Sequence, residues 1–311
     1  MSVAYLFPGQ GSQYVGMGQA LCLMHPEAQA MFAQADETLG FFLTDLCFNG
    51  PDDVFTDTIN TQPAILTLSM AALEVIKAKE AFPPPAFVAG HSMGEFSALV
   101  AAGALSFADA LHLVRERGRL MKLAGEQNPC GMAAVLGLDV DKLALACDEA
   151  RQETGGVVQI ANDNCPGQIV ISGDETALLL AMEKAQAARA RKVVRLAVSI
   201  ASHSPLMDVI TDEFAAAVDA APITDAVIPI VANASATPIT RADDIRAELK
   251  AQLTSPVRWT DSMRYLVEQG VTQVVEVGPK NVLAKLMRRI ERKVKRVNVG
   301  DAALCDWDAD L

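Results

Sequence analysis

The sequence predicts an α/β protein with a large domain, built on a mostly parallel sheet, and a small domain inserted into it. Strand-like apolar runs alternate with helical patterns, 51% of the 311 residues are hydrophobic, and one internal stretch changes to the order β-α-β-β-α-β. Alternating strands and helices are typical of a parallel sheet covered on both faces. We expect the large domain at residues 1–128 and 199–300, the small domain at 129–198 and a loose C-terminal tail at 301–311.

The first half of the large domain is predicted from apolar runs that end at turn residues. An apolar run at 3–7 stops at Pro8-Gly9, which indicates a buried strand before a tight loop. Residues 61–81 have helical spacing and end before three prolines, and a second strand is expected at 86–89. Helices are predicted at 95–102 and 107–123, separated by Gly103 and by the capping residue Ser106.

The small domain is predicted to be ferredoxin-like, with strands at 132–136, 157–161, 168–172 and 193–196 and helices at 140–153 and 176–189. The large domain then resumes. Its later elements are predicted as helices at 204–218, 245–252 and 261–268, strands at 227–231 and 273–277, and a last helix after Gly278-Pro279.

Composition excludes several classes of function. A net charge of −12 argues against non-specific nucleic-acid binding. The six cysteines lack C-x-x-C spacing, so we expect neither a zinc site nor disulfides. The N-terminus has no basic lead, and the apolar stretch at 96–114 contains polar residues. We therefore expect a cytoplasmic protein without a signal peptide, membrane span or bound metal. We also expect it to be a monomer.

The segment Gly90-His91-Ser92-Met93-Gly94 lies between a predicted strand and a predicted helix. Gly-x-Ser-x-Gly in that context is the nucleophile elbow of α/β-hydrolase-like domains. The two glycines remove side chains that would collide at the turn, and the helix N-terminus favours negative charge beside Ser92. The Met93 amide is then suited to stabilise an oxyanion. The alternative is a Gly-Ser turn that only caps a helix.

A serine nucleophile requires a base, and the chain has four histidines. His91 adjoins Ser92 but should point away from it at such a turn. His112 is expected to be partly buried in a helix, and His25 lies in a helix-ending context far from the elbow. His203 lies between a strand and a helix, where α/β active sites form, so it is the favoured base; a capping or surface histidine is the alternative.

A series of motifs resembles the malonyl-CoA:acyl carrier protein transacylases, in family order over roughly residues 1–300. The motifs are Phe7-Pro8-Gly9-Gln10-Gly11-Ser12-Gln13, Gly90-His91-Ser92-Met93-Gly94-Glu95, Arg115-Glu116-Arg117-Gly118, Ala161-Asn162-Asp163-Asn164-Cys165-Pro166-Gly167-Gln168, Ser202-His203-Ser204-Pro205-Leu206-Met207, Pro256-Val257-Arg258-Trp259 and Glu276-Val277-Gly278-Pro279. The inserted small domain agrees with this resemblance.

The resemblance implies a role for each site residue. Ser92 and His203 would form a dyad in which the backbone carbonyl of Gln252, rather than an acid, orients the imidazole. A carbonyl acceptor fixes the tautomer that leaves the other nitrogen as base. The backbone amides of Gln10 and Met93 would form the oxyanion hole, although Gln10 alone is also explained as an ordinary loop residue.

Substrate recognition is likewise implied by the resemblance. Arg117 would bind the malonyl carboxylate, because a guanidinium matches a carboxylate with two prongs. From spacing alone, Arg115, Arg117 and Arg119 equally suit a solvated helix face. Asn162 and Asn164 match asparagines on the small-domain wall of the cleft and are candidate substrate neighbours, while turn chemistry beside Pro166-Gly167 explains them equally well.

The implied activity is ping-pong transfer of a malonyl group from malonyl-CoA to the pantetheine thiol of an acyl carrier protein, for fatty acid or polyketide synthesis, with no cofactor. Carrier proteins are usually acidic, so a basic docking patch is expected. The candidate residues are Arg189, Arg191, Lys192 and Arg195, or Arg288, Arg289, Arg292, Lys293, Lys295 and Arg296, and an ordinary solvated helix is the alternative for the second group.

Alternatives to this activity are a serine hydrolase or thioesterase, a non-enzymatic carrier-binding module, and a relative serving malonate decarboxylation. Three departures from the family pattern also bear on it. Lys280-Asn281 follows Gly278-Pro279 where Gly-Lys is common, and Asp163 replaces a frequent aromatic residue. The tetrad Ile200-Ala201-Ser202-His203 resembles the form that admits methylmalonyl, which leaves the extender unit open.

Overall fold

A computed structural model describes residues 2–127 and 129–300. Its strands are β1 (Ser2–Phe7), β2 (Phe87–Gly90), β3 (Cys130–Leu136), β4 (Val158–Cys165), β5 (Gln168–Asp174), β6 (Lys192–Arg195), β7 (Ile230–Val231), β8 (Pro238–Ile239), β9 (Val271–Val277) and β10 (Lys295–Val299). Its helices are α1 (Gln19–Met24), α2 (Pro26–Leu39), α3 (Leu43–Asn49), α4 (Asp52–Thr56), α5 (Thr58–Ala78), α6 (Gly94–Ala101), α7 (Phe107–Gln127), α8 (Val140–Thr154), α9 (Glu175–Ala187), α10 (Thr211–Ala220), α11 (Ala242–Gln252), α12 (Trp259–Glu268) and α13 (Val282–Ile290), with a 3₁₀ helix at Pro205–Ile210.

The larger sheet has the strand order β10-β9-β1-β2-β7-β8. Neighbouring strands are parallel from β10 to β7, and β8 is antiparallel at the edge. Alternate residues of the central strand β1 face opposite sides, as the pleat requires. Tyr5 and Phe7 pack in the core that includes α5, α6 and α7, whereas Ala4 and Leu6 pack in the core that includes α12 and α13. The α/β class and the mostly parallel sheet predicted from the sequence are confirmed.

The smaller sheet is antiparallel, with the order β4-β5-β3-β6. Its chain order β3-α8-β4-β5-α9-β6 is the predicted succession of strands and helices. Residues of α8 and α9 cover one face in a separate apolar core. Strand β4 also joins the larger unit, because the Asp163 amide donates to the Val257 carbonyl over 3.0 Å and the Val257 amide donates to the Ala161 carbonyl over 2.8 Å.

Several boundaries differ from the sequence prediction. The helix expected at 204–218 is divided at Thr211 into the 3₁₀ helix and α10. The strand expected at 227–231 is reduced to the two residues of β7, with Val227 exposed. Helices α1 to α4 and strands β8 and β10 were not predicted. Helices α1, α3 and α4 have only five to seven residues, too few for a periodic pattern, and two of the three buried positions of the 14-residue α2 are alanines, which make a weak apolar stripe.

Helix α5 is the one helix in residues 2–127 and 129–300 that is long and apolar enough to cross a membrane. Of its most apolar window, 83% is buried inside the protein. Its side chains form much of the core beneath the large sheet.

Candidate active site

Ser92 stands at a sharp turn between β2, which ends at Gly90, and α6, which begins at Gly94. Its φ of 51° lies in the left-handed region, which costs energy for a residue with a side chain. A Cβ at Gly90 would overlap the backbone of Gly94, and a Cβ at Gly94 would lie 2.8 Å from the Pro8 carbonyl oxygen. The strained turn therefore depends on both glycines, as the sequence indicated.

His203 is hydrogen-bonded to the Ser92 side chain, with Nε2 2.8 Å from Oγ. Its other ring nitrogen, Nδ1, lies 2.8 Å from the carbonyl oxygen of Gln252 and 3.2 Å from that of Ser255. Carbonyl oxygens only accept hydrogen bonds, so they place the proton on Nδ1 and leave the Nε2 lone pair facing the serine hydroxyl. This is the geometry of a nucleophile with its base.

The backbone of His203 is held as firmly as its ring. The residue has a φ of 60°, its amide donates to the Leu253 carbonyl over 2.9 Å, and its own carbonyl accepts from Gln159 Nε2 at 2.7 Å. Gln159 lies on β4 of the smaller sheet, so that sheet helps to position the base. Burial, reinforced by the charge of Arg117, lowers the pKa of His203 to about 3, and the ring is neutral at physiological pH.

Arg117 extends from α7 into the same site and is 1% exposed. Its Nη1 donates to Gln62 Oε1 over 2.9 Å, while Nη2 donates to Gln252 Oε1 over 2.9 Å and to Ser92 Oγ over 3.2 Å. Its Nε is buried and has no hydrogen-bond partner. Burial lowers the pKa of Arg117 to about 10, which leaves the guanidinium charged at neutral pH. Because the hydrogen-bond partners of this buried cation are all neutral, the arrangement can accept an anion as a further partner.

The other two arginines of this segment face elsewhere. Arg115 stacks over the Phe41 ring at 4.3 Å and donates to Asn60. Arg119 pairs with Glu116 at 2.7 Å and also with Glu213 on the surface. The solvated-face interpretation thus holds for Arg119, and Arg117 alone of the three contacts Ser92.

Gln10 and Met93 belong to the two segments that meet at the elbow. Met93 follows the nucleophile and is buried at the first position before α6. Gln10 lies in the loop after β1, and a Cβ at the preceding Gly9 would overlap the His91 carbonyl. The His91 amide also donates to the Phe7 carbonyl over 3.0 Å. The loop is therefore pressed against the turn that presents Ser92.

Asn162 and Asn164 are buried on β4. The Oδ1 atom of Asn164 lies 2.7 Å from Nε2 of His91, so its first partner is a neighbouring side chain. The His91 ring also packs against Trp259, with centroids 5.3 Å apart, and burial lowers the pKa of His91. Asn162 forms a backbone bridge with Val257, two residues before α12. Both asparagines thus have structural contacts of their own.

The two remaining histidines are His25, between α1 and α2, and His112, on α7. His25 separates α1 from α2 and is buried, in agreement with a helix-ending position. His112 is exposed on α7, and the expected partial burial was wrong, because the helix directs this position to solvent. Within residues 2–127 and 129–300 there is no cluster of three or more His, Cys, Asp or Glu side chains able to hold a metal ion.

Comparison with known proteins places this geometry in a family. The acyl transferase domain family matches residues 4–305. The malonyl CoA-acyl carrier protein transacylase of Bacillus subtilis (strain 168) is 46% identical over 299 residues, which cover 96% of this chain and 93% of that protein. The malonyl CoA-acyl carrier protein transacylase of Staphylococcus aureus (strain MRSA252) is 40% identical over 296 residues, which cover 95% of this chain and 94% of that protein. The chain belongs to the malonyl-CoA:acyl carrier protein transacylase family.

Solved structures agree with this membership. The acyl carrier protein S-malonyltransferase from Vibrio cholerae superposes with a TM-score of 0.94 at 38% identity, covering 99% of this chain and all of that one. A malonyl-transacylase solved in complex with a type II polyketide synthase acyl-carrier protein gives a TM-score of 0.94 at 37% identity and covers 98% of each chain. The transacylase fold therefore extends over nearly the whole chain.

The sequence did not identify Asn233 as part of this transacylase site. Its Oδ1 accepts from the Ser92 amide at 2.7 Å, and its Nδ2 donates to the Gly90 carbonyl over 2.7 Å. Both its backbone amide and Nδ2 donate to Glu95 Oε1, each over 3.0 Å. Asn233 thus connects the elbow to a buried carboxyl group. Its segment, between β7 and β8, has no motif that would have singled it out.

Gln62 was also missed, although it is fully buried beside Arg117. Its Nε2 donates to Thr58 Oγ1 over 2.9 Å, and that hydroxyl donates to Gln10 Oε1 over 3.0 Å. A chain of hydrogen bonds therefore connects Arg117 to the loop that carries Gln10. A glutamine in a long, mostly apolar helix was the available signal, because a polar group buried there needs a partner.

The structure shows where the two basic groups of residues lie and which residues they contact. Arg195 is paired with Glu175 at 2.5 Å. The second group spans the end of α13, a turn and β10 instead of one solvated helix. One of its members, Arg289, donates to Gln168 Oε1 over 2.8 Å and to the Pro166 carbonyl over 2.7 Å, so it connects α13 to the hairpin between β4 and β5.

Proposed function

We propose that this protein transfers a malonyl group from malonyl-CoA to the pantetheine thiol of an acyl carrier protein by a ping-pong mechanism. The observation that carries the proposal is the contact between Arg117 and Ser92. A charged guanidinium bonded only to neutral groups adjoins a serine paired with a base. The acyl group that this site suits has a thioester to be attacked and a carboxylate close beside it.

In the first half-reaction, His203 Nε2 takes the proton of Ser92 as Oγ attacks the thioester carbonyl carbon. The negative charge that forms on the carbonyl oxygen is stabilised by the backbone amides of Gln10 and Met93. When the intermediate collapses, the carbon–sulfur bond breaks and the CoA sulfur leaves with the proton held by His203. The product is a malonyl ester of Ser92.

In the second half-reaction, His203 takes the proton of the pantetheine thiol, and the sulfur attacks the Ser92 ester. The carbon–oxygen bond to Ser92 breaks, and the proton on His203 returns to Oγ. The malonyl carboxylate stays on Arg117 through both halves, because charge-assisted hydrogen bonds to a guanidinium are among the stronger contacts available. Neither half requires a metal or redox cofactor, and no base other than His203 is needed.

The proposal extends to the wider organisation of the chain. The order β4-β5-β3-β6 in the smaller sheet supports a ferredoxin-like small domain at 129–198. The elbow after a parallel strand supports an α/β-hydrolase-like large domain at 1–128 and 199–300. The tail at 301–311 lies outside the described residues. We infer a cytoplasmic monomer in fatty acid synthesis, with malonyl as extender and with Asn162 and Asn164 close to the bound acyl group.

Labelling tests the nucleophile and its base. Incubation with radiolabelled malonyl-CoA should leave label on the denatured wild-type protein, and the label should pass to holo-acyl carrier protein. Ser92→Ala and His203→Ala should lose it, while His112→Ala, which changes an exposed histidine, is the matched control and should keep it. Undiminished labelling of Ser92→Ala would refute the nucleophile. Release of free malonate faster than transfer would make the protein a hydrolase.

A second comparison tests the assigned acyl group. Arg117→Ala should lose malonyl-CoA as a substrate and gain relative activity with acetyl-CoA, because acetyl has no carboxylate to bind. Arg119→Ala is the matched control, since Arg119 pairs on the surface and should not affect selectivity. Parallel losses with both substrates in Arg117→Ala would defeat the role of Arg117.

A further inference from the structure

The side chain of Gln252 lies between a buried cation and a buried acid. Its Oε1 accepts from Arg117 Nη2 at 2.9 Å. Its Nε2 donates to the Ser92 carbonyl oxygen over 3.1 Å and also to the Glu95 carboxyl group. The side chains of Arg117, Gln252 and Glu95 are almost completely buried. The residue therefore has a side-chain position distinct from the backbone carbonyl that orients His203.

The chemistry of these partners fixes the orientation of the amide. A guanidinium has only donors, so it requires the oxygen of Gln252, and the Ser92 carbonyl has only acceptor sites, so it requires the nitrogen. A flipped amide would oppose donor to donor at Arg117 and acceptor to acceptor at Ser92. The observed arrangement is thus the only one that satisfies both neighbours.

Glu95 is the acid that would otherwise neutralise Arg117. It is close enough for its charge to stabilise the protonated guanidinium, yet no direct hydrogen bond joins the two groups, and Gln252 occupies the position between them. Asn233 holds the opposite oxygen with two N–H donors. Burial and the nearby Glu248 raise the pKa of Glu95, and the N–H donors of Asn233 and Gln252 oppose that rise by stabilising the carboxylate.

We propose that the Gln252 side chain is a specificity-determining spacer, which prevents Glu95 from pairing with Arg117 and so keeps the guanidinium available to the carboxylate of the acyl group. This inference rests on the proposed function, because it assigns a requirement of the same carboxylate site. A direct Glu95–Arg117 ion pair would fill the site from within. The substrate carboxylate would then have to displace an internal acid before it could bind.

The test measures kcat/KM for malonyl-CoA and for acetyl-CoA and takes their ratio. Gln252→Ala keeps the backbone carbonyl that accepts from His203 but opens the space between Glu95 and Arg117. We expect its malonyl-to-acetyl ratio to fall by about tenfold or more, which corresponds to about 1.4 kcal/mol, because the substrate carboxylate must then displace Glu95 from Arg117. A displaced base would instead lower both values equally and leave the ratio unchanged.

Glu95→Gln provides the rescue. Alone it is the reference for the double variant, because its neutral amide does not compete for Arg117 but places an N–H group against a donor of Gln252 or Asn233. Combined in Glu95→Gln/Gln252→Ala, it should restore most of the lost ratio. If the double variant stays as unselective as Gln252→Ala, or if Gln252→Ala keeps the wild-type ratio, the spacer role is refuted.

A second variant covers the case in which Gln252→Ala fails to fold. Gln252→Glu has the same shape and brings a carboxyl oxygen directly onto Arg117, so its malonyl-to-acetyl ratio should also fall. An unchanged ratio would refute the inference.

Arg117→Ala separates this inference from the proposed function. If Arg117→Ala keeps the wild-type malonyl-to-acetyl ratio, the carboxylate site itself is overturned. If Arg117→Ala loses that ratio while both Gln252 variants keep it, only the spacer role is overturned.

Discussion

The Nη2 atom of Arg117 lies 3.2 Å from the Oγ atom of Ser92, so the proposed anion-binding group and the proposed nucleophile are direct neighbours. Gln62 and Gln252 hold the guanidinium on its other sides, and the whole group is buried. Because Arg117 has little room to move, the distance between the attacked carbonyl carbon and the bound carboxylate is set by the protein.

This fixed distance predicts selection by acyl length. Malonyl separates its thioester carbon from its carboxylate by one carbon, and succinyl adds a methylene. We expect kcat/KM for succinyl-CoA to be about a hundredfold below that for malonyl-CoA, because a misplacement of about 1 Å has that effect on a reacting geometry. The ratio of kcat/KM for acetyl-CoA to that for propionyl-CoA is the control, because it gives the effect of one added methylene on an acyl group that has no carboxylate. Equal use of malonyl and succinyl would show that Arg117 adapts.

Because the pKa of His203 is low, we expect acylation to remain active at acidic pH. The ring has a pKa of about 3 instead of 6.5, so the base remains unprotonated well below neutral pH. Acylation by an uncharged ester such as p-nitrophenyl acetate should stay level from about pH 8 to about pH 5. Arg117→Ala should move the acid limb to higher pH, because its charge helps to lower the pKa of His203. A wild-type limb centred near pH 6.5 would contradict this.

Gly94→Ala should disrupt the elbow. The added Cβ would lie 2.8 Å from the Pro8 carbonyl oxygen and would overlap that of Phe7. We expect a loss of about 1–3 kcal/mol in the free energy of unfolding and loss of acylation, measured by urea titration and labelling. Gly155→Ala is the control, since it is strained by a φ of 69° but its Cβ would meet no atom. It should lower stability and leave acylation intact; an active Gly94→Ala would refute the steric account.

Glu276 predicts a pH dependence of stability. Its carboxyl group is buried at the end of β9 and accepts from the Leu283 and Ala284 amides at 2.9 and 2.8 Å. Burial raises its pKa from 4.5 to about 7. Between these values the folded state holds a proton that the unfolded state has released, so stability falls as pH rises through this window, by on the order of 3 kcal/mol.

Glu276→Gln removes this titration, so its free energy of unfolding should depend less on pH between 4.5 and 7 than that of the wild type. Urea titrations at several pH values provide the measurement. Glu268→Gln, which changes an exposed acid at the end of α12, is the control and should leave the slope unchanged. Equal slopes for Glu276→Gln and the wild type would refute the assignment.

The sequence could identify the features that depend on neighbours along the chain. The elbow was predictable because Gly90, Ser92 and Gly94 lie within five residues, between a strand and a helix that have recognisable patterns. The elements of the smaller sheet were predictable for the same reason. The short helices α1, α3 and α4 were not, because a helix of one or two turns has no measurable periodicity.

Residue types and spacing also limited the base to four histidines, and they left three arginines of one helix as alternatives. Only the tertiary structure brings His203 to Ser92 across 111 residues and turns Arg117, but not Arg115 or Arg119, into the site. It alone reveals Asn233, Gln62 and the side chain of Gln252 as partners. The physical reason is that a buried polar group forms hydrogen bonds with the groups that the fold brings within about 3 Å of it. These partners are distant in the sequence, so they produce no periodic pattern that could predict them.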